Sequence, residues 1–212
     1  AWEGRGEGYA GSVERAGWRL FSERVQTARQ ILEAAEKLGS RDPETYVQLL
    51  TVAMAEGWDR PPRQRVFEKA LGLAPDYHET YFAEAYDLLP RWHGEPGDVE
   101  RFAAQAPSRC PEEGEALYAR IVWNVSGYYR NDEFSKQLKF SWPRARRGFE
   151  ALLRLYPQSR RNLNAFCRVA CLAGDHVTAA KLFDQIGEDW VEDVWYKEGQ
   201  YLGWRRWAKA AR

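Results

Sequence analysis

The sequence has few residues that favour β-strands, and it has no long apolar run. It contains twelve Val, three Ile and five Thr among its 212 residues, whereas the helix-favouring residues Ala, Leu, Glu and Arg are frequent. No apolar stretch approaches the roughly 20 residues that are needed to span a bilayer. The composition therefore predicts an all-α protein, and we expect no membrane among its partners.

An excess of charge of one sign is also lacking. Thirty-one acidic and 31 basic side chains balance, which disfavours an attraction of the whole protein to nucleic acid or to an anionic membrane. The three Cys are odd in number and show no framework spacing, so we expect free thiols and a reducing, cytoplasmic compartment. The residues after Ala1 contain no apolar segment of the kind found in a signal peptide, so we expect none. The alternative is that a leader sequence has been removed. The oligomeric state is left open.

The sequence also lacks the motifs of common enzyme classes. It contains no P-loop, no Gly-x-Ser-x-Gly and no His-Glu-x-x-His. Cys167 and Cys171 are four residues apart and so share one helical face, but the paired spacing of a zinc site is missing. We interpret them as buried thiols. We therefore expect no catalytic residue, no metal and no cofactor.

What the sequence does contain is a repeat. Residues 42–75 predict two helices joined by a tight turn, and Glu44-Thr45-Tyr46 returns 35 residues later as Glu79-Thr80-Tyr81. A fixed period of this size is typical of stacked helical hairpins. The register continues with steps of 35, 35, 47 and 34 residues through Leu32, Phe67, Phe102, Phe149 and Phe183.

The repeat predicts an α-α solenoid of stacked antiparallel hairpins, about five in number, with a Trp-rich C-terminal helix as its cap. Residues 1–11, which are rich in Gly and charge, predict an extended lead-in. Residues 12–212 then form a single helical-repeat domain. The long step of 47 residues predicts an irregular insertion near residues 130–142.

The second helices of these hairpins resemble those of tetratricopeptide repeats. The family's pattern of small residue, aromatic residue and terminal proline is carried by Ala145, Phe149, Leu152 and Pro157, by Ala179, Phe183 and Ile186, and by Phe67, Ala70 and Pro75. The first helices depart from that family, because Leu163, Cys167 and Ala170 stand where its Trp, Gly and Tyr are expected.

A wider pattern resembles a bacterial domain family of the same repeat type. It is carried by residues 18–21 (WRLF), 89–98 (LPRWHGEPGD), 162–166 (NLNAF) and 170–175 (ACLAGD). The resemblance covers most of the chain. It implies a TPR-like fold and a bacterial source, and it implies no known reaction.

The connector between residues 92 and 98 is the first candidate site. Gly94 and Gly97 permit unusual backbone angles, and Asp98 can cap the following helix. An ordered loop of this kind would present Trp92, His93 and Glu95 to a partner. The alternative is a structured turn in which Trp92 fills the gap between hairpins.

Tyr46 and Tyr81 are the second candidate site. They stand one repeat apart, so they would line the concave groove of a solenoid, or else both belong to the core. Either site suits a non-catalytic protein–protein interaction module, an adaptor or an inhibitor that binds a protein or peptide. Two alternatives are an enzyme of unrecognised type that uses His93 and Glu95, and a nucleic-acid binder that uses the arginine cluster at residues 144–161.

Overall fold

The computed structural model describes Ala1, Glu3, residues 10–129, Phe134 and residues 139–210. Within these ranges every regular element is helical, which confirms the predicted all-α class. The predicted lead-in at 1–11 and the predicted insertion near 130–142 lie largely outside the described residues. The helices are α1 (Arg15–Lys37), α2 (Pro43–Glu56), α3 (Arg60–Leu73), α4 (His78–Asp87), α5 (Asp98–Gln105), α6 (Glu115–Ser126), α7 (Trp142–Leu155), α8 (Arg160–Leu172), α9 (His176–Ile186), α10 (Glu192–Trp195) and α11 (Glu198–Ala210), with 3-10 turns at Ala10–Ser12 and Ala106–Arg109.

Several helix ends follow local sequence signals. The side chain of Asp42 accepts a hydrogen bond from the backbone N–H of Glu44 at the start of α2, and Ser159 and Asp175 cap α8 and α9 in the same way. Gly57 ends α2 with a φ of 65°. The expected cap at Asp98 is wrong: Gly97, with a φ of 93°, holds the N-cap position, and Asp98 is the first residue of α5.

The described helices group into two compact units, residues 1–95 and 96–212. The boundary between them falls inside the predicted 92–98 connector. The single domain spanning residues 12–212 stays a prediction. Among the described residues, none of the helices combines the length and the apolarity that crossing a bilayer requires.

In the first unit, α2 packs against α1, α3 and α4. Leu49, Leu50 and Ala53 on α2 are buried. Phe67 of α3 meets Tyr81 of α4 edge to face, with ring centroids 6.0 Å apart. An apolar core therefore joins α2, α3 and α4, the last three helices before the 92–98 connector.

In the second unit, α6 packs against α7, α8 against α9, and α9 against α11. The rings of Phe149 and Phe166 stack at 5.2 Å. Trp195 is fully buried, and its indole N–H donates to Oδ1 of Asn164 at 2.7 Å. These contacts give the unit a core that is rich in aromatic rings.

The repeat landmarks are unequal in burial. Phe67, Phe149 and Phe183 are buried, whereas Leu32 and Phe102 are half-buried. Leu32 packs against the buried cluster of Tyr46, Leu49 and Ala70. Phe67, Phe149 and Phe183 therefore belong to the apolar interior of their own unit, and Leu32 lies at its margin.

Candidate functional site

The segment Arg91–Glu95, called the 91–95 loop below, folds back onto the end of α4. The backbone N–H of Trp92 donates to the carbonyl oxygen of Leu89 at 2.8 Å, and that of His93 donates to the carbonyl oxygen of Asp87 at 3.1 Å. The N–H of Gly94 also donates to Leu89, at 3.4 Å. Three consecutive backbone bonds therefore hold this loop in one conformation.

Gly94 lies directly against the backbone of α4's end. A Cβ at this position would stand 1.9 Å from the carbonyl oxygen of Leu88, far inside van der Waals contact. Gly94 is not among the glycines with positive φ. Glycine is therefore required here because the loop backbone approaches the backbone of Leu88 closely, and not because of its own backbone angles. Of the two expected unusual backbone angles, only that of Gly97 is present.

His93 is anchored by a buried carboxylate. Its Nδ1 lies 2.7 Å from Oδ1 of Asp87, whose side chain is only 1% exposed, while the imidazole itself is 42% exposed. Because an ionised carboxylate only accepts hydrogen bonds, Nδ1 carries the proton in this contact. Nε2 faces the end of α2, 3.8 Å from where a Cβ on Gly57 would stand.

Asp87 also binds the guanidinium of Arg63, which is 5% exposed. A second nitrogen of Arg63 donates to Oε2 of Glu84 at 2.7 Å. Burial raises the pKa of Glu84 above its usual value, and the charge of Arg63 opposes that rise. We call these four residues the Arg63–His93 cluster: one guanidinium and two carboxyl groups, with an imidazole at the solvent side.

Sequence reasoning missed Arg63, Glu84 and Asp87, although two signals were available. Glu84 and Asp87 are three residues apart and so lie on one face of α4. Arg63 precedes Phe67 by four residues and Ala70 by seven, which places a charged side chain on the buried face of α3. A charge on an apolar stripe predicts a buried partner of opposite sign.

Aromatic packing supports the other side of the loop. Trp92 contacts Tyr86 of α4 with ring centroids 5.6 Å apart, and Cζ of Arg91 lies 5.5 Å from the centroid of the same Tyr86 ring. Trp92 is half-buried, while Arg91 and Glu95 are exposed. Trp92 thus anchors the loop on its own unit, and three charged or titratable side chains face solvent.

Tyr46 and Tyr81 belong to the core. They are 6% and 0% exposed, which corrects the groove interpretation in favour of its alternative. The hydroxyl of Tyr46 donates to the carbonyl oxygen of Ser40 at 3.4 Å, and that of Tyr81 donates to the carbonyl oxygen of Pro75 at 2.8 Å. Each tyrosine hydroxyl donates to the carbonyl oxygen of the residue six positions before it. The same hydrogen bond therefore occurs twice, 35 residues apart.

The arginine cluster at residues 144–161 is largely paired. Arg144 binds both carboxylate oxygens of Glu115 at 2.6 and 2.8 Å. Ion pairs also join Arg146 to Glu150, Arg160 to Asp189 and Arg161 to Asp193. Because carboxylates already neutralise these four arginines, fewer cations are left for phosphates. The nucleic-acid hypothesis has little support from this geometry.

Cys167 and Cys171 are both buried. The thiol of Cys167 donates to the carbonyl oxygen of Ala179 at 3.7 Å. Burial raises the pKa of this thiol well above its usual value, and the neighbouring Cys171 raises it further. A neutral buried thiol is a poor metal ligand. Across the described ranges no group of three or more His, Cys, Asp or Glu side chains could hold a metal ion.

Comparison of the chain with protein-family models, with curated proteins and with solved structures finds no match. The resemblance to tetratricopeptide repeats therefore stays a prediction.

Proposed function

We propose that this chain is a non-catalytic protein-interaction module, an adaptor or an inhibitor, and that it binds its partner protein through the 91–95 loop. One observation carries the proposal. The loop is fixed by three backbone hydrogen bonds and by the contact between His93 and Asp87, yet Arg91, His93 and Glu95 remain exposed. Rigid backbone under exposed side chains is what a recognition surface requires.

Preorganisation explains why such a loop would bind well. Association costs free energy for every loop and side chain that must be ordered at the interface, and a loop that is already ordered avoids that cost. Trp92, Tyr86 and Arg91 also belong to the residue types that contribute most energy at protein interfaces. The loop therefore combines low ordering cost with suitable side chains.

The helix contacts support the predicted TPR-like arrangement. In the first unit α2 contacts both α3 and α4, and in the second unit α6 contacts both α7 and α8. Contacts to the next helix and to the one after it are typical of stacked hairpins. In this arrangement the connectors between successive helices lie at the surface, where they can meet another protein.

A photo-cross-linking experiment tests the proposal. A photoreactive amino acid is placed at Arg91 in the loop and, as a matched control, at Gln64, which is exposed on α3. In the native host, we expect a discrete protein adduct from position 91 that is absent from position 64. The adduct should disappear when Asp87→Asn is added. Equal labelling from both positions would contradict the proposal.

A second candidate function is acid–base catalysis by His93. The observation that favours it is the 2.7 Å contact with Asp87, since a buried carboxylate orients a catalytic imidazole and fixes its tautomer. Turnover of a panel of activated esters separates the two candidates. If His93 is catalytic, the wild type should hydrolyse an ester and His93→Gln should not. If the chain is an interaction module, the wild type and His93→Gln should both show only the background rate of hydrolysis.

A further inference from the structure

The side of α1 that faces away from the core carries a row of exposed side chains that the proposed function does not use. Leu20 is 38% exposed, Ile31 is 64% exposed, and Leu38, the residue that caps the end of α1, is 89% exposed. These three belong to a row of exposed residues with alternating steps of four and three: Leu20, Arg24, Thr27, Ile31, Ala34 and Leu38. We call this row the α1 seam.

The α1 seam lies on a different face from the one that α2 covers. Phe21 and Val25 are the buried residues of α1, and they pack against Val52 of α2. Each residue of an α-helix turns by about 100° about the helix axis, so the mean direction of the seam lies about 120° from that of Phe21 and Val25. The helix therefore has one apolar face in the core of the first unit and a second one that is exposed.

The spacing of the seam is that of a coiled coil. Single apolar side chains are common on protein surfaces and need no explanation. A row with alternating steps of four and three is different, because its mean period of about 3.5 residues lets a second helix pack along all of it. The seam extends over about 27 Å of helix. A partner of matching shape is another helix with the same spacing, and a second copy of α1 provides one.

Two copies of the seam fit each other when they run antiparallel. In one such register Ile31 lies opposite Thr27 of the second copy, and Leu38 lies opposite Leu20 at both ends of the seam. The remaining pair of seam residues, an arginine and an alanine, sets a long side chain beside a small one. Apolar residues therefore meet apolar residues at the ends, and two-fold symmetry repeats each contact.

Charge complementarity supports this register. Glu23 and Lys37 are exposed and border the seam on the same side, with Gln30 midway between them. In the antiparallel pair Glu23 of each copy lies beside Lys37 of the other, and the two Gln30 amides meet at the two-fold axis, where each donates and accepts. In a parallel pair Glu23 would instead face Ala28 of the second copy. The charges along the seam therefore favour antiparallel packing of α1 with itself.

We propose that the α1 seam is a self-association surface, through which two copies of this chain form a homodimer with antiparallel α1 helices. This surface is separate from the 91–95 loop, so the dimer does not rest on the proposed function. Two short helices bury less than about 1,200 Å², which is the size of weak and transient interfaces. The dimer should therefore form at high protein concentration, with a Kd of about 100 μM.

Sedimentation velocity tests the proposal. The mean sedimentation coefficient of the wild type should rise between about 10 μM and about 1 mM. Ile31→Lys should weaken dimerisation by about 30-fold or more, because each copy then buries an unpaired charge near Arg24 of the other. The matched control Gln26→Lys adds the same charge at an exposed position of α1 outside the seam and should dimerise like the wild type. An unchanged far-UV circular dichroism spectrum verifies that both variants are folded.

A charge exchange tests the register. Glu23→Lys should weaken the dimer by about two- to tenfold, because two exposed ion pairs are lost. Glu23→Lys combined with Lys37→Glu should restore the wild-type Kd. Oε1 of Glu23 also lies 3.7 Å from Nε of Arg19 on its own helix. The second substitution does not restore that contact, so the recovery must come from across the dimer.

Cysteine cross-linking tests the orientation. The three native cysteines are buried, so they do not compete. A mixture of Leu20→Cys and Leu38→Cys should form mainly the mixed disulfide under mild oxidation. The reason is that in the antiparallel dimer the two side chains at position 20 lie about 27 Å apart, too far for a disulfide.

Three results would overturn the proposal. The first is a wild type that stays monomeric at about 1 mM. The second is an Ile31→Lys variant that dimerises as well as the wild type, which places the interface elsewhere. The third is a Leu20→Cys variant that cross-links with itself more readily than with Leu38→Cys, which makes the two helices parallel.

Discussion

At the scale of single residues, Arg63 is the side chain on which the 91–95 loop depends. Removing a charge from water costs several kcal/mol, which close oppositely charged partners must offset. Asp87 and Glu84 supply those partners. Asp87 also contacts the imidazole of His93 and so fixes its position. A buried network of this kind contributes little net stability, so its main effect is to fix the positions of its members.

Replacing Gly94 by Ala should destabilise the first unit by about 3 kcal/mol, the upper part of the range for overpacking. The added Cβ would stand 1.9 Å from the carbonyl oxygen of Leu88, so the loop must move away from α4. Urea denaturation measures the difference. The matched control is Gly72→Ala on α3, where a Cβ meets nothing within 4 Å.

The control should stabilise the protein by about 0.5–1 kcal/mol, because Ala favours a helix over Gly. Equal effects of the two substitutions would show that the 91–95 loop does not lie against Leu88 in solution.

Glu84 makes the stability of the first unit depend on pH. Its folded-state pKa is raised, mainly by burial, so the folded chain holds this proton more tightly than the unfolded chain. Stability is therefore lost as the pH rises from the unfolded value of about 4.3 through the raised value. Glu84→Gln removes this loss, so its stability relative to the wild type should increase as the pH rises above the unfolded pKa of Glu84.

Urea unfolding of both proteins at several pH values measures this gain. If Glu84→Gln loses stability relative to the wild type as the pH rises, the attraction between Glu84 and Arg63 outweighs burial, and the assigned direction of the pKa shift is wrong.

At the scale of helices, the contact between α6 and α7 depends on Gly148. A Cβ at this position would lie 2.3 Å from the carbonyl oxygen of Glu115 and 2.8 Å from Cβ of Ala119. Gly148→Ala should therefore destabilise by about 1–3 kcal/mol in thermal unfolding, although Ala is the better helix former. Gly203→Ala on α11, where a Cβ has open space, should instead be neutral or stabilising.

The N-terminus of α9 is fixed by Asp175, which accepts from the backbone N–H of Thr178 and from Trp142. Asp175→Ala should cost about 1 kcal/mol as the loss of a cap, while Asp175→Asn should retain part of the stability. Burial alone would raise the pKa of Asp175, but these hydrogen bonds and the charge of Arg146 lower it overall.

The lowered pKa fixes the pH dependence of that cap. The stabilisation from ionised Asp175 is present above the unfolded value of about 3.9 and is lost as the pH falls through the folded value. The difference in stability between the wild type and Asp175→Asn should accordingly shrink below about pH 4. A difference that grows under acid would contradict the assigned shift.

Helix ends were predictable from the sequence to the extent that their signals are local. Asp42, Ser159 and Asp175 act within three residues, so the sequence shows both donor and acceptor. Gly97 displaced Asp98 from the N-cap because a residue with a φ of 93° ends the preceding turn one position earlier than expected. The need for glycine at position 148 has no local signal, since it depends on a helix 29–33 residues earlier in the chain.

At the scale of the whole chain, the period of 35 residues predicted equivalent positions better than it predicted their roles. Tyr46 and Tyr81 make the same hydroxyl-to-carbonyl bond at that spacing. The sequence could not decide between groove and core for them, because an amphipathic tyrosine suits both until its neighbours are known. Their burial came from packing against other helices, as between Tyr81 and Phe67.

The candidate site was predicted in part. His93 and Trp92 were singled out by the glycine-flanked connector, and the loop is indeed ordered. The Arg63–His93 cluster was not foreseen, because its members come from three segments separated by up to 30 residues. Charge pairing between distant segments depends on how the helices pack. The repeat period predicts which helices are neighbours, but it does not predict which side chains meet.

Amide hydrogen exchange measures directly whether the 91–95 loop is held rigid by its bonds to the end of α4. We expect the amides of Trp92 and His93 to exchange as slowly as that of Leu89, and we expect Asp87→Asn to speed the exchange of His93 by about tenfold or more, which corresponds to about 1.4 kcal/mol. If the amides of Trp92 and His93 in the wild type exchange at the rate of an unstructured peptide, the loop is not held by these bonds.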